Sequence, residues 1–164
     1  MILSVIVAAG KNNEIGQKNG MLWHLPAELK RFRELTTGHP VVMGRRTFES
    51  LPKGPLPNRT NVILTRNKEL LYENCLVFSS LDAALVKLRD EEEIFIIGGG
   101  TIYEQAFPLA DKLYLTRVHA EFPAADTFFP EVNRKEWKEV SRETHPADEK
   151  NAYSFTFYEF ERFR

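Results

Sequence analysis

Two apolar runs set the strongest limit on how this chain can fold: Ile2–Ala9, interrupted only by Ser4, and Ile94–Ile97. A strand with one wet face alternates apolar and polar residues, whereas a continuous run has to be covered on both faces. Further strand candidates are Val41–Met43, Asn61–Thr65, Leu76–Ser79 and Lys112–Val118. Helical patterns fall between them at Pro26–Leu35, Arg45–Ser50, Leu81–Arg89 and Thr101–Phe107. Such alternation predicts an α/β fold with a mostly parallel central sheet and helices on both faces. The tail changes character. Trp137–Glu143 and Tyr153–Phe163 are aromatic-rich and partly alternating around a polar turn at His145–Asn151, which predicts an antiparallel C-terminal hairpin closing the sheet.

At 164 residues the chain is most simply one domain, 1–164, without repeats or long linkers. A chain of this size buries roughly 70% of its unfolded surface, so a full core needs no staples. The net charge of −1 gives no global field toward nucleic acid or an anionic membrane, and neither partner is expected. Cys75 is the only cysteine, so no internal disulfide and no cysteine metal cluster is expected. The opening apolar run lacks preceding basic residues and is too short to span a bilayer, so a cytoplasmic location is the default expectation. The chain is also expected to act as a monomer. Locally the charge is uneven. Between Met43 and Arg66 lie Arg45, Arg46, Lys53, Arg59 and Arg66 against the single acid Glu49, an excess that suits an anionic small molecule.

Glu28 is a carboxylate where a helix should be apolar. At about 100° per residue, Leu25, Leu29, Phe32 and Leu35 share one arc about 120° wide, and Glu28 projects inside it. A buried carboxylate is expensive unless something pairs with it, so this position is a candidate acid. A first-turn Glu favoured by the helix dipole is the alternative.

Two strand–glycine–helix turns add a second theme. Gly98-Gly99-Gly100 follows one buried run and opens the helix of Thr101, Ile102 and Tyr103, where backbone can approach a ligand closely. It is not the dinucleotide fingerprint of a Rossmann fold, since the glycine spacing fails and no acid lies about 20 residues on. In Val42-Met43-Gly44-Arg45-Arg46-Thr47, guanidinium and hydroxyl groups occupy a first helical turn, as a pyrophosphate needs. Leu64-Thr65-Arg66 ends another strand with a hydroxyl and a guanidinium. Three phosphate-suited edges point to NADP rather than NAD.

Taken in order, these motifs resemble dihydrofolate reductase over nearly the whole length. The match runs through Val7-Ala8-Ala9 with Ile15-Gly16, then Trp23-His24-Leu25-Pro26 with Glu28, then Val42 to Ser50. It continues in Pro55-Leu56-Pro57-Asn58-Arg59, Ile96 to Gly100 with Tyr103, and Asp126-Thr127-Phe128-Phe129-Pro130. The resemblance implies reduction of 7,8-dihydrofolate to tetrahydrofolate with NADPH, by hydride transfer to pterin C6 and protonation at N5, with no metal. By the same resemblance Glu28, Trp23 and Thr116 are the catalytic group. Glu28 would hold the pterin's amino group, Thr116 would hydrogen-bond that carboxylate, and Trp23 would order a water. Ile6 and Ile97 would offer carbonyls, with Leu29, Phe32 and Leu51 packing on the rings and Arg59 binding the tail carboxylate. Ala8, through its backbone, and Ile15 would position the nicotinamide, with Tyr103 nearby, and Gly16 and Met21 would also meet the cofactor. Gly44, Arg45, Arg46, Thr47, Gly98, Gly99, Gly100, Thr101 and Ile102 would serve the rest of the cofactor. The 2′-phosphate would fall to Thr65 and Arg66, with Leu64 beside them also meeting the cofactor.

The resemblance also implies a cis Gly98–Gly99 peptide and a lid at Gly16–His24 braced by Glu121–Phe129. Three positions depart from the common pattern: Ala125 replaces a glycine, Leu22 a proline, and Leu51–Pro55 is one residue longer than in many bacterial members. Ala125 is expected at negative φ, because positive φ strains a residue with a Cβ. Two other readings compete: a riboflavin-pathway pyrimidine reductase of similar fold, and a non-catalytic nucleotide-binding module. Neither gives Glu28 and Arg59 a partner.

Overall fold

The computed structural model describes residues 1–16, 22–67 and 72–163. Its main sheet has eight strands, and the first apolar run, β1 (Ile2–Ala9), lies inside it between β6 (Glu93–Gly98) and β7 (Lys112–Val118). Val5 pairs with Ile96 on one side and Leu113 on the other, which is why this run carries apolar residues on both faces. Beyond β6 come β3 (Val41–Gly44), β4 (Asn61–Leu64) and β5 (Cys75–Phe78), all parallel. On the far side β10 (Phe155–Arg162) runs antiparallel to β7, and β9 (Trp137–His145) forms the edge. The expected α/β fold with a mostly parallel sheet and a closing antiparallel hairpin is therefore the observed one.

Alternation along β1 sorts the core into two layers. Leu3, Val5, Val7 and Ala9 join Ile94, Ile96, Leu113 and Leu115 beneath α3 (Leu81–Lys87) and α4 (Gly100–Ala106). Ile6 faces the other way, toward Met43, Phe95, Tyr114 and Phe48 of α2 (Arg45–Glu49), with Phe32 and Leu35 of α1 (Pro26–Thr36) packed on that cluster. Ser4 is the polar exception of β1; fully buried, it donates its hydroxyl hydrogen to Glu93 at 2.6 Å.

The arc of α1 is less buried than its periodicity suggests. Leu25 is 1% exposed, but Leu29 is 45% exposed, and Phe32 and Leu35 are half-buried. This helix borders the Ile6–Tyr114 cluster instead of lying flat on the sheet, so one side of its apolar arc faces an open cleft. Its amino end has no local cap, since Leu25 offers no side-chain acceptor. Asn151 fills that role from 124 residues away: its Oδ1 accepts the Ala27 N–H at 3.1 Å.

One element lies outside the sequence expectation. Between β1 and α1, where no strand was expected, β2 (Glu14–Gly16) pairs antiparallel with β8 (Thr127–Phe128). The Asp126 N–H also donates to the Gly16 carbonyl at 3.0 Å. Strands of three and two residues are too short to show periodicity. Among the described residues, the non-glycine positions at positive φ are Asn13, Asn58 and Asn74, so Ala125 keeps the negative φ expected of it.

Candidate active site

Glu28 sits in the first turn of α1, half-buried at the cleft. Burial of its carboxyl pushes its pKa up to about 7, against an opposing pull from Arg31. The group therefore holds a proton near neutrality. Across the cleft, the Tyr103 hydroxyl lies within hydrogen-bond reach of two carbonyls, Ile6 at 2.8 Å and Ile97 at 2.9 Å. One hydroxyl proton serves one acceptor fully, so the pair retains capacity for another donor. Tyr103 is buried, and burial together with the Glu28 charge raises its pKa, so both groups belong to one electrostatic neighbourhood.

Trp23 is buried, tilted against Phe122 at 5.1 Å between ring centroids, and its indole N–H has no hydrogen-bond partner among the described residues. Thr116 is buried on β7, in register with Ala8 of β1 and Phe157 of β10. Among the described residues no direct hydrogen bond joins Thr116 to Glu28. Thr116 is fixed by the strand and Glu28 by the helix, and no hydrogen bond bridges the two elements there. Leu51 and Phe32 border the cleft on the Phe48 side, both half-buried. Leu29 stays largely exposed.

Arg59 is set at the far end of α1. Its Nε donates to the Pro57 carbonyl at 2.9 Å, and its Nη1 to the Thr36 hydroxyl at 3.0 Å. Thr36 in turn donates to the Phe32 carbonyl at 2.8 Å, so Arg59 is anchored to the helix that carries Glu28. Burial and the neighbouring Arg33 lower its pKa, and no salt bridge to Arg59 occurs among the described residues. A partly desolvated cation of this kind is primed for a carboxylate.

The two glycine turns meet. A Cβ on Gly44 would lie 3.2 Å from Ile102 and 3.9 Å from the Gly99 nitrogen, and one on Gly99 would lie 3.2 Å from the Thr47 hydroxyl. The Gly98–Gly99 peptide is cis, and Gly98 has φ of +127°, a conformation that strains any residue with a Cβ. A Cβ on Gly100 would stand 2.6 Å from a Thr127 methyl. Close backbone approach, not loop freedom, accounts for the glycines at 44, 99 and 100. Arg45 turns along α2 to pair with Glu49 at 3.3 Å, while Arg46 and Thr101 are exposed. Of the expected trio Arg45, Arg46 and Thr47, it is Thr47 that the fold brings to the Gly99 turn.

Leu64 is buried at the end of β4, and the half-buried Thr65 accepts the Asn67 N–H on its hydroxyl at 3.2 Å. Arg66 is exposed beside them. Ala8 and Ile15 are half-buried and Gly16 is buried. Met21, and the lid expected at Gly16–His24 for the most part, fall on positions 17–21, outside the described residues. Sequence reasoning missed two polar anchors altogether, Glu14 and Asn151, both buried and both bonded across the fold.

An acid-bearing helix facing glycine turns at the ends of parallel strands defines a small-molecule reductase of the α/β class. The family comparisons agree. The dihydrofolate reductase family profile matches residues 2–162. The chain is 50% identical to dihydrofolate reductase type 3 of Salmonella typhimurium, covering 100% of both. It is 43% identical to the dihydrofolate reductase of Bacillus subtilis strain 168, over 98% of this chain and 95% of that protein. Among solved structures, the dihydrofolate reductase from Enterococcus faecalis complexed with NADP(H) and RAB-propyl superposes with a TM-score of 0.91. That match has 36% identity and covers 99% of this chain and 97% of the other. The chain belongs to the dihydrofolate reductase family.

Proposed function

We infer that this chain reduces 7,8-dihydrofolate to 5,6,7,8-tetrahydrofolate with NADPH, as one domain over residues 1–164 acting as a monomer in the cytoplasm. The observation that carries the reading is Glu28: a carboxyl with its pKa pushed up to about 7, facing a cleft shared with the Ile6 and Ile97 carbonyls. Nothing in a nucleotide-binding module would require such a group. No described helix is long and apolar enough to cross a membrane, and neither membrane nor nucleic acid is a proposed partner.

The residues present fit a phosphate-bearing dinucleotide. Gly44 and Gly99 let the two turns come together beside the Thr47 hydroxyl, and Thr65 and Arg66 supply a hydroxyl and a cation for a 2′-phosphate. NADPH, when bound, supplies a hydride for pterin C6. Ala8, Ile15, Gly16 and Tyr103 line the side where its reactive ring would lie. Glu28 binds the pterin's amino group and adjacent ring nitrogen and keeps a proton at hand for N5. Leu29, Phe32 and Leu51 cover the substrate rings and exclude water, and Arg59 clamps the tail carboxylate while Thr36 holds it to α1. Trp23 contributes an indole N–H with no partner among the described residues, available to a polar atom at the site.

Loss of reduced-nicotinamide absorbance on mixing protein, NADPH and dihydrofolate tests this reading. A rate no higher than the protein-free blank overturns it.

A further inference from the structure

Glu14 is 2% exposed, and nothing in the proposed chemistry uses it. Both of its carboxylate oxygens are taken by backbone donors: the Asn12 N–H at 2.5 Å on Oε1 and the Phe122 N–H at 2.6 Å on Oε2. The second bond spans 108 residues and ties the turn after β1 to the segment that ends in β8. Gly10 is needed beside it, because a Cβ there would lie 2.8 Å from Glu14 Oε1 and 2.8 Å from the Phe122 ring. Arg117 reinforces the turn from β7, with Nη1 donating to the Gly10 carbonyl at 2.7 Å and to Asn13 Oδ1 at 2.6 Å. Burial raises the Glu14 pKa, but the N–H groups of Phe122 and Asn12 and the Arg117 charge outweigh it and hold it below the usual range. The buried group is thus an anion.

The next two residues are Ile15 and Gly16, the part of β2 assigned to the nicotinamide side. Phe122, the other partner, packs on Trp23 at 5.1 Å. One carboxylate therefore fixes two walls of the cleft. We propose that Glu14 is a positioning residue for hydride transfer, holding Ile15–Gly16 and, through Phe122, Trp23 against the reactive ring of the cofactor. A carboxylate is required because both oxygens face N–H donors; in a Gln one of those positions becomes an NH2 group, and a donor meets a donor.

This inference rests on the reductase reading, so its test separates the two. Binding of NADPH and of 2′-phosphoadenosine diphosphoribose, the same molecule without nicotinamide, is measured by tryptophan fluorescence on wild type, Glu14→Gln, Gly10→Ala and the double variant. Expected for Glu14→Gln is a loss of about tenfold in NADPH affinity, the scale of one buried hydrogen bond to a charged group, with fragment affinity unchanged. Gly10→Ala displaces the same carboxylate and should reproduce that split, also standing alone if Glu14→Gln does not fold. The double variant should be no worse than either single one. Single-turnover hydride transfer should slow with NADPH affinity. Equal loss of both ligands reduces Glu14 to a purely structural role, and wild-type binding of both overturns the proposal outright. Failure of wild type to oxidise NADPH with dihydrofolate would instead sink the reductase reading.

Discussion

Replacing Glu28 by Gln should stabilise the ligand-free fold in mildly alkaline solution while removing most turnover. The unfolded carboxyl titrates near 4.5 and the folded one near about 7, so the folded state holds its proton more tightly. Between those values the folded chain binds more protons than the unfolded one. Stability must therefore fall as pH rises through this window, with the loss complete above about 7. The gap is worth about 3 kcal/mol at 1.36 kcal/mol per unit, and residual exposure of the side chain reduces this to about 1–3 kcal/mol. Gln is neutral at every pH and nearly the same shape. In urea unfolding, Glu28→Gln should exceed wild type by that amount at about pH 8, with the difference shrinking toward zero near pH 4. Turnover should drop by about 10²–10⁴-fold, the usual yield of a positioned acid, with NADPH affinity nearly intact. Wild-type hydride transfer should also slow as pH rises past about 7. A variant less stable than wild type at pH 8, or a stability difference independent of pH, would refute the argument that this carboxyl is desolvated.

Arg59→Ala should raise KM for dihydrofolate by about 1.5–3 kcal/mol in equivalent free energy, as expected for a lost charge-assisted pair, and change KM for NADPH little. An unchanged KM in steady-state kinetics would show that Arg59 serves only Thr36. Arg66→Ala should erode the preference for NADPH over NADH by a similar amount, and equal NADPH affinity in mutant and wild type at low salt would place the 2′-phosphate elsewhere. Asn151→Ala should cost about 1 kcal/mol, or roughly 3 °C in Tm, through loss of the α1 cap, and an unchanged Tm would mean water replaces Oδ1 without penalty.

What could be read from the chain follows the range of the forces involved. Continuous apolar runs such as Ile94–Ile97 announce a strand buried on both faces, because the pattern lies within the strand itself. Glu28 was legible for the same reason: the arc it interrupts is local. The anchors were not legible. Asn151 reaches Ala27, and Tyr103 reaches Ile6 97 residues away, through contacts that no spacing rule encodes. Glu14 carries no local sign of burial, since the strand around it is three residues long. Arg45 is the opposite case: its partner Glu49 lies four residues on, within the range that helical spacing makes visible in the sequence.

The cap on α1 also dictates an order of assembly. During synthesis Pro26–Thr36 leaves the ribosome long before Asn151, and β10, which comes later still, wedges between β7 and β9. Until that hairpin docks, the helix bearing Glu28 lacks its amino-terminal acceptor and the neighbouring β7 stands as an open edge. Long-range pairing of this kind folds slowly, because loop closure must precede the contacts that reward it. A nascent chain stopped before Asn151 would thus hold most of its sheet and every proposed ligand-binding residue, yet leave the acid unaimed.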